Sequence, residues 1–335
     1  MTTKVVSMNG GVDTGSQTPK MFGQPEASDG DLQRNLPTQF FSKRPLRFAV
    51  KFWFALALIA IGYIAIIASV SWIVTAIAML VLGFMYAHLV ELQHECLHGH
   101  AFKSRRLNHI YGFFCGLFML SSYSYYQYEH LRHHATLGQP DNREFFSYRL
   151  RHLDSLRGFL LATFHLGRYV DVLHDMARSL AGNPIPGVER ERNRKQISKE
   201  YRLFVSMIAG VAAFTALTGN LLFVFAWLVP LLTISEPTHF LIELPEHFGL
   251  NTQNDPNVLA NTRTIDTSRF AQWFTNFNNL HTAHHYHQGV PMANVARLNE
   301  LVRERYEAIE PSYRSFYIKV IRGKIRYIEP SAEVV

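Results

Sequence analysis

Two long stretches of the chain carry no charged side chain and predict helices that cross a membrane. Residues 52–90 and 203–235 contain no Asp, Glu, Lys or Arg. Each stretch is longer than one crossing needs, because about 20 residues of α-helix span the hydrocarbon core of a bilayer. Each therefore predicts a helical hairpin, turned near Val70-Ser71 in the first stretch and at Gly219-Asn220 in the second. The pattern predicts an all-α integral membrane protein with four transmembrane helices.

Shorter apolar patterns predict further helices outside these hairpins. Residues 110–120 are apolar but too short to span a bilayer, so we expect an interfacial or re-entrant segment. Apolar side chains recur at helical spacing within residues 159–177, among charged ones. This amphipathic pattern fits a helix on the membrane surface or an ordinary helix of the water-facing body. Pro291 begins another predicted helix, which extends to Glu310.

The distribution of charge predicts the orientation and the domain boundaries. The net charge is +7, and most basic residues flank the apolar stretches, which favours an anionic membrane surface over nucleic acid as the partner. By the positive-inside tendency, both termini, the middle loop and the active site are expected in the cytoplasm. We predict a disordered tail at residues 1–40, a membrane domain at 41–310 and a basic tail at 311–335. The two cysteines, Cys96 and Cys115, form no disulfide or CxxC pattern.

Three histidine clusters are the candidate chemistry of the chain. Their residues are His94 and His98; His130, His133 and His134; and His281, His284 and His285. Spacings of three and four residues place side chains on one face of a helix, so each cluster presents its imidazoles in one direction. Neutral imidazole binds iron, zinc and copper, and eight imidazoles exceed the needs of one ion. The clusters therefore predict two metal ions, provided that all three lie on one side of the membrane, as four crossings allow.

Two other classes of His-rich membrane protein fit the pattern less well. A metal transporter would place polar ligands at the middle of the bilayer, whereas the charge-free stretches hold only His88, near one end. A bis-histidine haem protein would need histidines within facing helices and no HxxHH spacing.

The order HECLH, HLRHH, HTAHH around two apolar hairpins resembles the membrane fatty acid desaturase and hydroxylase superfamily. The resemblance covers residues 52–301. It implies a four-helix stem under a cytosolic helical cap, two iron ions held by histidine, and an O2-dependent attack on an unactivated C–H bond of a lipid. Fatty-acyl desaturation is the leading expectation. Hydroxylation of an acyl chain or alkane, and carotenoid hydroxylation or ketolation, are the alternatives.

A fourth element of the resemblance adds a ninth candidate ligand. Glu246-His247-Phe248-Gly249 resembles the EHYG-type element of the related alkane hydroxylases, whose histidine binds metal. Pro245 is expected to end or kink the preceding helix, which would place His247 just beyond it. His239 is a weaker candidate ligand. Residues that we expect to support the ligands are His88, Glu95, His100, Glu129, Asp141, Asn142, His239, Glu243 and His287.

The expected partners are a lipid or acyl substrate, membrane lipids and a separate electron donor. The sequence has no flavin or Fe–S pattern and no HPGG haem motif, so we expect electrons from a ferredoxin, a rubredoxin or a free cytochrome b5. Basic side chains that could meet either a substrate head group or lipid phosphates are Lys103, Arg105, Arg106 and Arg132.

Overall fold

The protein is mostly helical, in a computed structural model that describes residues 33–329. Residues 37–329 form one compact unit, and residues 33–36 belong to a separate one. In chain order the helices are α1 Pro45–Ala68, α2 Trp72–Leu97, α3 Arg105–Gly116, α4 Tyr123–Thr136, α5 Leu156–Thr163, α6 Gly167–Ala181, α7 Glu191–Thr218, α8 Leu222–Pro230, α9 Glu236–His247, α10 Val258–Asn261, α11 Arg269–Phe274, α12 His281–Tyr286, α13 Met292–Val302 and α14 Tyr313–Ile321. Two short strands, β1 Thr264–Ile265 and β2 Ile309–Glu310, pair in parallel.

Four of the described helices are long and apolar enough to cross a membrane. They are α1, α2, α7 and the continuous run Leu222–His247 that joins α8 to α9. Their outer faces carry exposed apolar side chains such as Ile64, Ile67 and Ile77, as lipid contact requires. The prediction of an all-α protein with two membrane hairpins is confirmed.

The hairpin turns lie where the sequence predicts them. α1 ends at Ala68 and α2 begins at Trp72, with the Ser71 amide donating to Ser69 Oγ in the turn. In the second hairpin Gly219 takes a left-handed conformation with φ 66°, which favours glycine. Asn220 Oδ1 then accepts a hydrogen bond from the Leu222 amide at 2.8 Å and starts the next helix.

A π-helical turn interrupts the fourth membrane helix. It covers Leu231–Ser235 between α8 and α9, and prolines at positions 230 and 237 remove two amide donors around it. Ser235 Oγ donates to the Gly83 carbonyl at 2.9 Å. A Cβ atom at Gly83 would lie 2.4 Å from Ile234 Cβ, so glycine is needed for this close approach of α2. The turn therefore packs directly on the second membrane helix.

Two long described segments, residues 98–190 and 248–329, form the cap that packs on the membrane helices. α3 packs on α2 and is not long enough to cross, as predicted for residues 110–120. A second core joins α9 to the cap through the buried side chains Phe240, Leu244, Phe316 and Val320. This core holds the end of the fourth membrane helix against the cap.

Two helix predictions need correction. The amphipathic pattern at residues 159–177 forms two helices, α5 and α6, with a break after Thr163. Its apolar side chains Leu166, Val170 and Leu173 are exposed, which favours the membrane-surface interpretation over a buried helix. The helix that follows Pro291 ends at Val302 instead of Glu310, because the chain turns at Arg303–Arg305 and then pairs as β2.

The boundaries of the predicted domains stay a prediction. Most of the predicted tail at 1–40 lies outside the described residues; within the described part, Thr38–Phe41 forms a 3-10 turn. In the predicted C-terminal tail, α14 buries Phe316 and Val320.

Candidate metal centre

Nine histidines lie together in two adjacent groups where the membrane helices meet the cap. The five-histidine group is His94, His98, His130, His134 and His284; the four-histidine group is His133, His247, His281 and His285. Within each group, one ring nitrogen per residue lies within 4.8 Å of all the others. These are the nine candidate ligands of the sequence, and each group is suited to hold a metal ion.

The clusters divide between the two groups according to helical spacing. On α4, His130 and His134 are one turn apart and face the first group, whereas His133 faces the second. On α12, His284 joins the first group and His281 and His285 join the second. The HxxHH pattern therefore lets one short helix supply both groups.

Ring nitrogens in the first group approach each other closely. His130 Nε2 lies 2.9 Å from His94 Nε2 and 2.9 Å from His98 Nε2. The Nε2 atoms of His130 and His134 are 3.0 Å apart. A neutral imidazole has one N–H and one lone pair, so these nitrogens cannot all be paired by hydrogen bonds to one another. Several lone pairs must converge, and a cation satisfies them.

The second group repeats this arrangement around His247. Its Nε2 lies 2.9 Å from His281 Nε2 and 3.2 Å from His133 Nε2. The rings of His285 and His134 stack with centroids 4.1 Å apart, so the two groups are in direct contact.

Hydrogen bonds on the outer side fix which nitrogen of two histidines faces inward. His133 Nδ1 lies 2.8 Å from Asn142 Oδ1, as the supporting role predicted for Asn142 requires. His247 Nδ1 donates to the Asn261 carbonyl at 2.9 Å. With Nδ1 protonated, Nε2 presents its lone pair to the group.

Burial keeps the cap histidines in the form that binds metal. It lowers the pKa of His130, His134 and His284 well below the usual value, and the neighbouring imidazoles lower each pKa further. These rings are therefore neutral at physiological pH. Neutral imidazole is the ligand form, whereas imidazolium has no free lone pair.

Some of the predicted supporting residues have other partners. His239 lies outside both groups, with Nδ1 2.8 Å from the Tyr148 hydroxyl and 3.1 Å from Glu243 Oε2, so Glu243 lies against His239. Glu95 accepts from Asn276, Glu129 pairs with Arg143, and Asp141 pairs with Arg132. His100 stacks on His98, and His287 packs on Phe41.

The loop before α12 is held by residues that the sequence analysis did not single out. Lys51 Nζ donates to the Trp273 carbonyl and to Asn276 Oδ1, at 2.6 and 2.8 Å. Asn278 donates to Glu91 at 2.6 Å. His88, next to this loop, donates from Nδ1 to the Phe274 carbonyl and stacks on Trp273. Acids and a lysine buried in apolar helices are the signal that could have identified these contacts.

Comparison with known proteins gives one family match and one similar protein. The family model described as Fatty acid desaturase matches residues 70–317. A protein of Bacillus subtilis (strain 168) described as "Fatty acid desaturase" is 32% identical to the chain over 124 residues. The aligned segment covers 36% of this chain and 30% of that protein, so the likeness spans about a third of each.

Proposed function

Because the chain belongs to the fatty acid desaturase family, we propose that it is an O2-dependent di-iron enzyme that introduces a double bond into a fatty-acyl chain. The observation that carries the proposal is the convergence of nine buried or half-buried imidazoles into two adjacent groups. An all-imidazole donor set suits iron, and the second group lies in contact with the first, so two ions can act on one substrate.

The nine histidines would hold the irons, five at one ion and four at the other. Iron at these positions would supply the activation of dioxygen and the one-electron steps that C–H cleavage needs. The protein's own part is to fix the ring orientations through Asn142 and the Asn261 carbonyl and to keep the imidazoles neutral by burial. The imidazoles themselves carry no proton to the substrate in this scheme.

The location of the centre supports a lipid substrate. His94 lies in the last turn of α2 and His247 at the end of α9, so the groups sit where two membrane helices enter the cap. An acyl chain could reach this depth from the bilayer while its polar head stays at the surface. We propose the cytoplasmic side for the cap, and a separate ferredoxin, rubredoxin or cytochrome b5 as the electron donor.

Lipid analysis tests the reaction. Cells that express the chain should accumulate acyl chains with an added double bond, detected by mass spectrometry as a loss of two hydrogens. His133→Ala should abolish the product, whereas His174→Ala, at an exposed position on α6, should not. Added oxygen without new unsaturation would instead assign hydroxylation, and altered pigment would assign carotenoid chemistry.

Metal analysis tests the centre independently of turnover. Protein purified without oxygen should contain close to two irons per chain. A value near one, or a haem absorption spectrum, would overturn the di-iron proposal.

A further inference from the structure

A polar route crosses the otherwise apolar junction between α9 and the cap. At its outer end a cavity of about 240 Å³ opens to the surface between residues 142–150, the end of α9 and residues 248–254. Its rim is rich in polar side chains, including Asn142, Ser147 and Thr252. At its inner end a void of about 10 Å³ is bounded by His94, His130 and His281 of the two histidine groups. A void of this size holds about one water molecule.

Two glutamates border both spaces. Glu144 and Glu243 line the outer cavity and also the inner void, and His247 of the four-histidine group lines the outer cavity beside them. Glu144 also lies 3.1 Å from His133 Nδ1 and so belongs to the support of a candidate ligand. Glu243 has a different neighbour, His239, which is not in either group.

Behind Glu243 the route continues through buried groups. His239 Nδ1 lies 3.1 Å from Glu243 Oε2 and 2.8 Å from the Tyr148 hydroxyl. On the other side of the ring, Nε2 lies 3.9 Å from Glu91 Oε1. His239 and Glu91 are each 2% exposed, and both line the inner void. Successive polar atoms along this route therefore lie between 2.8 and 3.9 Å apart.

The void has an unused hydrogen-bonding group of its own. Asn278 lines it, is 6% exposed, and its Oδ1 lacks a hydrogen-bond partner among the described residues. Its Nδ2 already donates a hydrogen bond to Glu91. A buried amide oxygen without a partner is costly, and a water molecule in the void would supply its donor.

We propose that Glu243 and His239 deliver solvent protons from the outer cavity, through the void, to the histidine-held centre. The proposal rests on the proposed desaturation. Converting CH2–CH2 to CH=CH with O2 takes two electrons and two protons in addition to the two substrate hydrogens, and releases two waters. A one-electron donor protein brings electrons, so the two protons must come from solvent. Glu243 borders both the outer cavity and the void, His239 lies beside it and borders the void, and neither belongs to the candidate ligands.

Glu243→Gln removes the proton carrier and keeps the size of the side chain. We expect full iron content, a loss of at least about tenfold in kcat, an unchanged KM for the acyl substrate and a larger solvent deuterium isotope effect on kcat. More of the donor's electrons should end in hydrogen peroxide. Glu243→Asp should restore part of the rate. A merely structural Glu243 would produce neither the isotope effect nor the rescue.

Two further variants keep the test decisive. Glu200→Gln is the matched control, because Glu200 is a buried membrane-helix carboxylate bonded to Ser122 and Ser124 and borders neither space. It should keep the wild-type isotope effect. If Glu243→Gln fails to hold iron, His239→Gln replaces it and should give the same kinetic pattern. A variant with full iron content and wild-type kcat overturns the relay, whereas a wild-type protein that forms no unsaturated lipid overturns the proposed function instead.

The water-facing character of the cavity can be tested on metal-free protein. Thr252→Cys places a thiol in its wall and should react with a charged thiol reagent in membranes. Ile61→Cys, on the exposed apolar face of α1 and two turns inside the helix, should not react. If Thr252→Cys resists the charged reagent but reacts with an apolar one, the cavity is a lipid slot and the proton route is wrong.

Discussion

At the scale of single residues, one hydrogen bond sets the role of His247. Because its Nδ1 donates to the Asn261 carbonyl, its Nε2 lies among the ring nitrogens of His133 and His281. The contact comes from a backbone carbonyl, so side-chain substitutions at position 261 cannot remove it. His247 is also the last residue of α9, and not a residue beyond a helix ended by Pro245, as the sequence had suggested.

Removing this imidazole should affect one group and spare the other. His247→Ala leaves three histidines in the second group, so we expect the iron content to fall from two toward one per chain and the activity to be lost. The measurement is iron per chain by mass spectrometry together with lipid analysis. His174→Ala serves as the control. An active His247→Ala protein with two irons would show that His247 is not a ligand.

Buried neutral histidines also predict the response to acid. Burial lowers the pKa of His98 to about 3, against about 6.5 in an unfolded chain. Below pH 6.5 or so the unfolded chain therefore binds more protons than the folded one, and the free energy of unfolding falls as the pH falls. We expect the melting temperature of metal-free protein to decrease between about pH 7.5 and 5.5. Replacing His98 and His130 by Gln should flatten that decrease, and an equal slope in both proteins would contradict the argument.

At the scale of elements, the loop before α12 is the connection that sets the position of the third histidine cluster. Asn276 has φ 49°, is 2% exposed, and bridges Lys51 of α1 to Glu95 of α2. Two membrane helices thus determine where the loop ends and α12 begins. Along the sequence, Asn276 is 181 positions from Glu95 and 225 positions from Lys51.

Asn276→Ala should destabilise this connection. It leaves Lys51 with one partner fewer and Glu95 without its amide donor, and alanine is strained at a positive φ. We expect a cost of about 1–3 kcal/mol, measured as a lower melting temperature in detergent. The control is Asn183→Ala, at an exposed position after α6. Equal melting temperatures for the two variants would show that the bridge contributes little.

Sequence periodicity predicted the elements better than it predicted their contacts. The hairpins follow from runs of uncharged residues and from turn residues such as Gly219, which act locally. The nine candidate ligands follow from spacing and from the resemblance. The partners of Asn276 do not follow from either, because they depend on which distant helices pack together. Glu243 lies four residues from both His239 and His247, so helical spacing alone does not choose between these two neighbours.

At the scale of the whole molecule, both hairpins must open toward the same side. The ends of α2 and α9 supply His94 and His247 to adjacent groups, and the cap covers both. The basic flanks of the spans favour the cytoplasm for this side. An odd number of crossings between two of the histidine clusters would place those clusters on opposite sides of the membrane.

Reporter fusions test this topology. A reporter after Ser71 or after Asn220 should lie on the far side of the membrane, because each follows one crossing of a hairpin. Fusions after Arg106 and Glu191 should report the cytoplasm. Reporter enzymes active on only one side of the membrane give the measurement, and a far-side signal at either of the last two positions would contradict the shared cap.

The π turn at Leu231–Ser235 has a consequence for how the chain tolerates changes of length. A π turn holds one residue more than an α-helical turn, and one residue corresponds to a rotation of about 100°. Loss of one residue from this turn can be absorbed by a return to α geometry, with little rotation of the helix beyond it. Loss of one residue from α9, which has no extra residue to give up, would instead swing His247 about 100° away from His133 and His281. A loop such as residues 248–257 can gain or lose a residue without turning any helix. The π turn is thus the place in the last membrane helix where the residue count can change while the angular phase of His247, and with it the four-histidine group, is kept.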